Sequence, residues 1–561
     1  MTREAGRETE LREWLWFVLA LGVALRFIGL NWDSGLIFNP DEGNIGRAAA
    51  ALSFPDRLVS DFSAYNGLAL YLPRLLSELL AYFGFGPPSA PSSIVFAGRI
   101  LSATSASMSL FLIASIARCL WRADVALFAA AVAAFMPGLI QTGHFATTEA
   151  VLILCLLILL WLTFAYVRNR LSLGWYGVLV GFVLGIGFGF KTTTLVFAII
   201  PLVAVVQSML SRRDVLPALG AGAVAALITV VVGLLTTPQI WLTPAAYFNT
   251  MRFEGGVVAG TEDVFWTYQF ARQIPGLYEL AQMPWTMGPL MPVAALIGLA
   301  LCYFAAWRDK PVASMLLPAG VFSVIYALVI VGWYAKFVRY QTPLLPTLVL
   351  FAAFAMASIE RTRLRRVLMV STVLVTAAAG ALQLLVYLNP DPRIAGWDWL
   401  KPQLSDGDHV VIEPVDVGLT YWGTSTPVTL DMLPLIAPSE PSKIDNIATL
   451  LAGGDWMIVA SRRHHAVLPR LTGRFPEMCG YYDALWSGRL GYEVVARFTR
   501  RPPLPQILQP EIWAEETFTV FDSPELFVLS NTGRMSAVEV ATQMAEPSAI
   551  CGAGGVPTPP R

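Results

Sequence analysis

Long stretches of this 561-residue chain carry almost no charge. Residues 215–250, 311–335 and 367–390 contain no Asp, Glu, Lys or Arg. Residues 125–167 contain one such residue, Glu149, and residues 171–210 contain one, Lys191. Apolar runs of about 18 residues or more are the signature of membrane-spanning helices. Charged residues make up 14% of the chain, against about 25% in an average soluble domain. Lys+Arg 38 against Asp+Glu 39 leaves a net charge of −1, so no basic field exists to hold a nucleic acid. A soluble globular protein, a disordered chain and a nucleic-acid binder are excluded. Five cysteines are too few for a disulfide framework, and no CxxC spacing suggests zinc.

Eleven apolar runs stand out, near 11–30, 95–117, 124–142, 147–167, 173–190, 192–210, 215–237, 286–306, 312–334, 341–359 and 367–388. The first has no small-residue cleavage site after it and reads as an uncleaved span. With the N-terminus in the cytoplasm, five consecutive inside loops are short and basic: Arg118 and Arg122; Arg168 and Arg170; Arg212 and Arg213; Arg308 and Lys310; and Arg361, Arg363, Arg365 and Arg366. That is the positive-inside pattern, and an odd number of spans puts the C-terminus outside. The expected fold is a polytopic α-helical membrane module over 1–388. Two long outer loops, 31–94 and 238–285, interrupt it. Within the first, residues 41–54 and 68–85 are amphipathic enough to lie along the membrane surface. From 389 the chain becomes charged and Pro-rich, with strand-like alternation at 409–412 and 493–498. Residues 389–545 read as an extracytoplasmic soluble α/β domain, and 546–561 as a disordered tail.

Ionisable groups at a membrane edge are costly and are therefore functional candidates. They collect here at the outer ends of the runs. Asp41-Glu42 follows Pro40 just beyond the first run. One carboxylate can serve as general base and the other as its support; Pro followed by acids is equally an ordinary helix start. Glu149 opens a span after His144. Lys191 interrupts an apolar hairpin, and Lys336, Arg339 and Tyr340 follow an uncharged span. Positive charge outside opposes the usual bias. A phosphate at the membrane surface would account for it, as would snorkelling of single side chains. His464-His465 read as a solvated surface, and the Gly-rich stretch 181–189 as helix packing.

Leu25-Arg26-Phe27-Ile28-Gly29-Leu30 followed by Pro40-Asp41-Glu42 resembles the opening of the polyprenyl-phosphate-sugar glycosyltransferases of the GT-C fold. That superfamily includes the protein O-mannosyltransferases and the lipid A aminoarabinose transferases. Tyr65-Asn66-Gly67, Gly98-Arg99, residues 144–149, Lys191 and Arg339-Tyr340 are similar in order and placement. The resemblance implies an inverting transfer of one sugar from a lipid-linked phosphate to an acceptor outside the cytoplasm. It implies Asp41 as base, Glu42 orienting it and Glu149 as the second acid, where many relatives carry Asp. Arg99, Lys191, Lys336, Arg339 and Tyr340 would hold the donor phosphate. Tyr65, Asn66 and His144 would face the sugar or acceptor.

The partners so implied are the donor lipid, the bilayer and a protein, lipid or glycan acceptor, at the plasma (inner) membrane. Asp41, Glu42 and Glu149 could also hold Mg²⁺ or Mn²⁺ through oxygens. A transporter or flippase of lipid-linked saccharide is the alternative; against it, the charges sit at the outer edge and no inverted repeat is visible. A non-catalytic membrane receptor is the third reading, one in which the acids would be dispensable.

Overall fold

The computed structural model of the chain describes residues 2–212, 215–308, 310–414, 427–501 and 513–560; Arg213 lies outside them. The chain forms two units. The first comprises residues 1–37, 41–259 and 274–387, and the second residues 38–40, 260–273 and 388–561.

The first unit is helical. Its N-terminal part contains α1 (Thr2–Phe27), α2 (Pro40–Ala50), α3 (Gly67–Tyr82), α4 (Pro91–Leu120), α5 (Ala123–Phe135) and α6 (Pro137–His144). There follow α7 (Glu149–Val167), α8 (Leu173–Phe190), α9 (Ile199–Arg212), α10 (Val215–Thr236), α11 (Gln239–Leu242) and α12 (Pro244–Ala259). The set ends with α13 (Leu277–Met287), α14 (Met291–Ala306), α15 (Pro311–Gly332), α16 (Leu344–Ala357) and α17 (Thr362–Leu388). All eleven apolar runs fall on helices. Among the described residues seven helices are long and apolar enough to cross a bilayer, or nine if the bent pairs α5–α6 and α13–α14 each count as one span. The 14-residue α16 is shorter than such a span, and α1 begins with a polar half. Leu216, Leu219, Leu227 and Leu235 of α10 are largely exposed, as lipid-facing side chains are. The chain is an integral membrane protein.

Local chemistry explains the breaks. Pro137 has no N–H to offer the carbonyl of Ala133, so the helix kinks by 51° between α5 and α6. Arg26, buried at 1% exposure, supplies the missing donors to the carbonyls of Ala133 (3.0 Å) and Ala134 (3.1 Å). Its charge therefore has a structural use. Along α8, Gly177 and Gly181 face the backbone of α10 so closely that a Cβ would overlap the carbonyls of Ala221 and Ala225. The glycine-rich stretch is helix packing, as expected.

The feature that fixes α2 is a buried arginine. Arg99 of α4 is 1% exposed and commits every one of its five N–H groups. Nε and Nη2 donate to Glu42 at 2.8 and 2.6 Å, Nη1 and Nη2 to Asp33 at 2.9 and 2.6 Å, and Nη1 also to the carbonyl of Leu30 at 2.9 Å. Asp33 in turn accepts the N–H groups of Gly35 and Ile37. Ile37 has φ +57°, a conformation that a β-branched side chain resists and that costs about 1–3 kcal/mol. Glu42 also accepts the N–H of Ala146 at 2.6 Å. One guanidinium thus ties α4, the strained turn at 33–37 and the first turn of α2 into a single body, and Asp41 stands on that turn.

The second unit holds a five-stranded mixed sheet. Its strands are β1 (His409–Ile412), β2 (Thr429–Met432), β3 (Trp456–Val459), β4 (Tyr492–Phe498) and β5 (Leu526–Asn531), in the order β2-β1-β3-β5-β4. β1 pairs in parallel with β2 and β3, and β5 pairs antiparallel with β3 and β4. Both segments with strand-like alternation are strands. Two details differ from expectation. His464 and His465 are buried rather than solvated: His464 lies 3.6 Å from Glu413, and His465 is edge-on to Tyr482, Trp486 and Phe527, where burial pushes it down to about 3. The tail expected to be disordered carries a one-turn helix at Ala549–Gly552, and Cys551 forms a disulfide with Cys479.

Arg99→Leu leaves Asp33 and Glu42 buried without a counter-charge, a loss of about 3–5 kcal/mol. We expect this variant to melt well below the wild type in detergent, while Arg339→Gln melts close to it. Equal melting of Arg99→Leu and wild type, read by thermal unfolding of the purified proteins, would refute the clamp.

Candidate active site

Two carboxylate–cation pairs, each joining sequence-distant segments, lie within electrostatic reach of one another in the first unit. Asp41, in the first turn of α2, is paired with Nη1 of Arg339, which belongs to the short 3₁₀ turn Val338–Tyr340 between α15 and α16. Glu149, the first residue of α7, accepts from Nζ of Lys191 at 3.0 Å. Lys191 sits where α8 stops, with φ −157° and ψ +132°, before a 3₁₀ turn at Thr192–Ala198. Arg339 also interacts with Glu149 and Tyr65. Lys191 lies 5.8 Å from the ring centroid of Tyr65, and burial raises the phenol of Tyr65 well above its usual range. Arg339 stacks on Phe337 at 4.5 Å and on Tyr340 at 5.7 Å. The side chains of Asp41 and Arg339 keep 23% and 25% of their surface, so a ligand can still reach this pair.

Other sequence candidates have structural uses. Arg99 and Glu42 form the clamp described above, so Arg99 has no N–H left for a phosphate and Glu42 has no free face towards an acceptor. Lys336 is 4% exposed and spends its ammonium on Glu279 (2.9 Å) and on the carbonyls of Val331 (3.0 Å) and Trp333 (2.9 Å). His144 is fully buried, stacked on Tyr387 at 3.8 Å, with ring nitrogens against the carbonyls of Ile140 and Ile28. Asn66 donates to the carbonyl of Phe188 at 2.5 Å and accepts from Tyr247 at 3.2 Å. It anchors the end of α8, and with it Lys191, to the segment ahead of α3. The residues gathered about one centre are therefore Asp41, Arg339, Tyr340, Glu149, Lys191 and Tyr65.

The carboxylates do not make a cation site. Glu42 is taken by Arg99, and Asp41 and Glu149 each already face a positive charge. Among the described residues no group of three His, Cys, Asp or Glu side chains is placed to hold a metal ion.

One further member was not singled out from the sequence. Glu254 of α12 is half-buried and interacts electrostatically with Arg339, Asp41, Lys191 and Tyr65. Burial, the largest influence, raises its carboxyl above the ordinary range. A signal was available: between residues 238 and 259 the only charges are Arg252 and Glu254.

The family model for dolichyl-phosphate-mannose-protein mannosyltransferase matches residues 92–251, a stretch that includes Arg99, Glu149 and Lys191. Among solved structures, ArnT from Cupriavidus metallidurans bound to undecaprenyl phosphate is similar across 96% of this chain and 99% of its own, at 14% identity and a TM-score of 0.51. The Archaeoglobus fulgidus oligosaccharyltransferase tethered with an acceptor peptide matches 84% of this chain and 72% of its own, at 12% identity and a TM-score of 0.49. No curated protein sequence matches significantly. With the helical order described above, the likeness along nearly all of both chains to ArnT shows that this chain has the GT-C fold.

Proposed function

We propose that the protein is an inverting glycosyltransferase that takes a sugar from a polyprenyl-phosphate carrier and delivers it to an acceptor outside the cytoplasm. The observation that carries this reading is the pair of contacts Asp41–Arg339 and Glu149–Lys191 around Tyr65. Two fixed cations within reach of one another suit a phosphate, Arg339 as a fork and Lys191 as a point charge. Each is neutralised by a carboxylate. A phosphate that draws Arg339 towards itself frees Asp41 to act as base.

In the reaction the acceptor oxygen attacks the anomeric carbon from the face opposite the phosphate. Its proton passes to Asp41, the bond from the anomeric carbon to the phosphate oxygen breaks, and the electron pair stays on that oxygen. The configuration inverts. Lys191 and Arg339 stabilise the charge that grows on the leaving phosphate. The isoprenoid tail remains in the bilayer throughout. Tyr65 and Tyr340 line the sugar, and Glu149 holds Lys191 in place.

The eleven helical runs are taken as eleven spans of the plasma membrane, with the N-terminus in the cytoplasm and the sheet-bearing unit outside. Three features support that orientation: the basic short loops, the exposed Leu75, Leu79 and Phe83 of an interfacial α3 region, and the Cys479–Cys551 disulfide, since such bonds persist in oxidising compartments. The relatives' names support the donor class: the family model names a dolichyl-phosphate-mannose enzyme and the solved ArnT holds undecaprenyl phosphate. A hexose or a pentose is accommodated by the same chemistry.

Purified full-length protein in detergent, given undecaprenyl-phosphate-linked mannose, glucose or aminoarabinose with extracted cell-envelope acceptors, should release undecaprenyl phosphate. Asp41→Asn should lower kcat about 100-fold or more, the range expected of a general base, with unchanged melting. Transport of the intact lipid-linked sugar across proteoliposomes, with no bond broken, would refute the reading. Arg339→Gln should weaken binding of undecaprenyl phosphate about tenfold or more, because it removes a charge-assisted pair; equal affinity would exclude Arg339 from the donor site.

A further inference from the structure

Three carboxylates surround two cations. Asp41 has Arg339 and Glu149 has Lys191, whereas Glu254 makes no hydrogen bond or ion pair with any described residue. Its aim follows from the helix that carries it. Tyr247, Met251, Glu254 and Val258 recur at the spacing that puts side chains on one face of α12. Tyr247 hydrogen-bonds to Asn66 at 3.2 Å and lies 3.4 Å from the hydroxyl of Thr192. Met251 receives the hydroxyl of Thr192 at 3.8 Å. The carbonyl of Val258 accepts the N–H groups of Tyr334 (3.0 Å) and Ala335 (3.2 Å). One end of the face is therefore fixed beside Lys191 and the other beside the turn that carries Arg339, with Glu254 between them.

We propose that Glu254 is a further catalytic residue of this centre, the general acid that hands a proton to the departing lipid phosphate. The inference rests on the glycosyltransferase reading. Arg339 leaves Asp41 for the donor phosphate, but Lys191 stays shared with Glu149, so the charge arriving on the leaving oxygen is under-compensated. A protonated carboxyl beside the same two cations supplies the missing donor. As the bond from the anomeric carbon to oxygen breaks, its electron pair stays on the phosphate oxygen and the proton of Glu254 passes to it. The acceptor's proton goes to Asp41 as the new glycosidic bond forms. No charge is created or lost, and solvent returns one proton to Glu254 and removes one from Asp41.

Burial biases Glu254 towards the protonated form required of it. Asp41, by contrast, stands directly against the guanidinium of Arg339. The groups facing Glu254 are Arg339 from the α15–α16 connection, Asp41 from α2, Lys191 from the α8–α9 connection and Tyr65 from the segment before α3. Arg252 is on its own helix.

The test compares the wild type with Glu254→Gln and Glu254→Asp as full-length proteins. For the wild type, kcat should fall as pH rises, because the acid loses its proton. Glu254→Gln should lower kcat about 100-fold and abolish that alkaline fall, whereas Glu254→Asp should retain it. A kcat for Glu254→Gln within threefold of the wild type, or an unchanged alkaline fall, overturns the proposal. A second arm needs no turnover. The affinity for undecaprenyl phosphate should drop more steeply with rising pH in the wild type than in Glu254→Gln, and equal slopes also overturn the proposal. If neither protein binds undecaprenyl phosphate at any pH, the glycosyltransferase reading itself fails, and this inference with it.

Discussion

The guanidinium of Arg99 is the point on which the arrangement of the first unit turns. It lies in a long helix, it is buried, and two acids and a carbonyl converge on it. A buried ion pair is not a cheap source of stability, because desolvation offsets most of the attraction. What it gives is position. Glu42 is held so firmly that its neighbour Asp41 is presented at a fixed height and angle to Arg339, although α2 is only 11 residues long. The same guanidinium holds Asp33, and Asp33 holds the left-handed Ile37. Strain near Asp41 is thus secured by a buried, fully committed charge.

The groups proposed to react follow a different rule. Asp41, Arg339 and Lys191 retain some exposed surface, and Arg339 interacts with Glu149 as well as with Asp41. A pair that is only partly buried can be exchanged for another at modest cost, whereas the Arg99 cluster cannot. The distinction between an ion pair that positions and one that yields to a ligand comes down to how many of its hydrogen-bonding groups are already taken. Arg99 has five committed N–H groups, while Nε of Arg339 has no hydrogen-bond partner among the described residues.

Much of this was legible in the sequence. Charge-free runs mark helices because hydrocarbon tolerates little else, and every one of the eleven is helical. The strands at 409–412 and 493–498 were visible as alternation. Asp41, Glu149, Lys191 and Arg339 stood out because a lone charge beside an apolar run is costly. The same argument singled out Lys336, and the resemblance singled out Arg99 and His144; all three are engaged within the structure. Cost alone does not tell a ligand-binding cation from one neutralised by a distant acid. Asp33 and Glu279, which neutralise Arg99 and Lys336, are 66 and 57 residues away from them and leave no periodic trace. Glu254 showed in the sequence only as one of two charges in an apolar stretch, and the docking of α12 at both ends is what brings it to the centre.

The chain enters its sheet-bearing unit three times, at 38–40, at 260–273 and from 388 onwards. The middle passage is stitched in by its own side chains, with Asp263 on Arg474, Tyr268 against Phe475 and Gln269 on Glu515. That passage runs directly between α12, which bears Glu254, and α13, which bears Glu279. The sheet-bearing unit is therefore no detachable cassette. A cut or stop codon after α17 would strand the 260–273 segment without its core, and recombination could not exchange the unit as one contiguous block of gene.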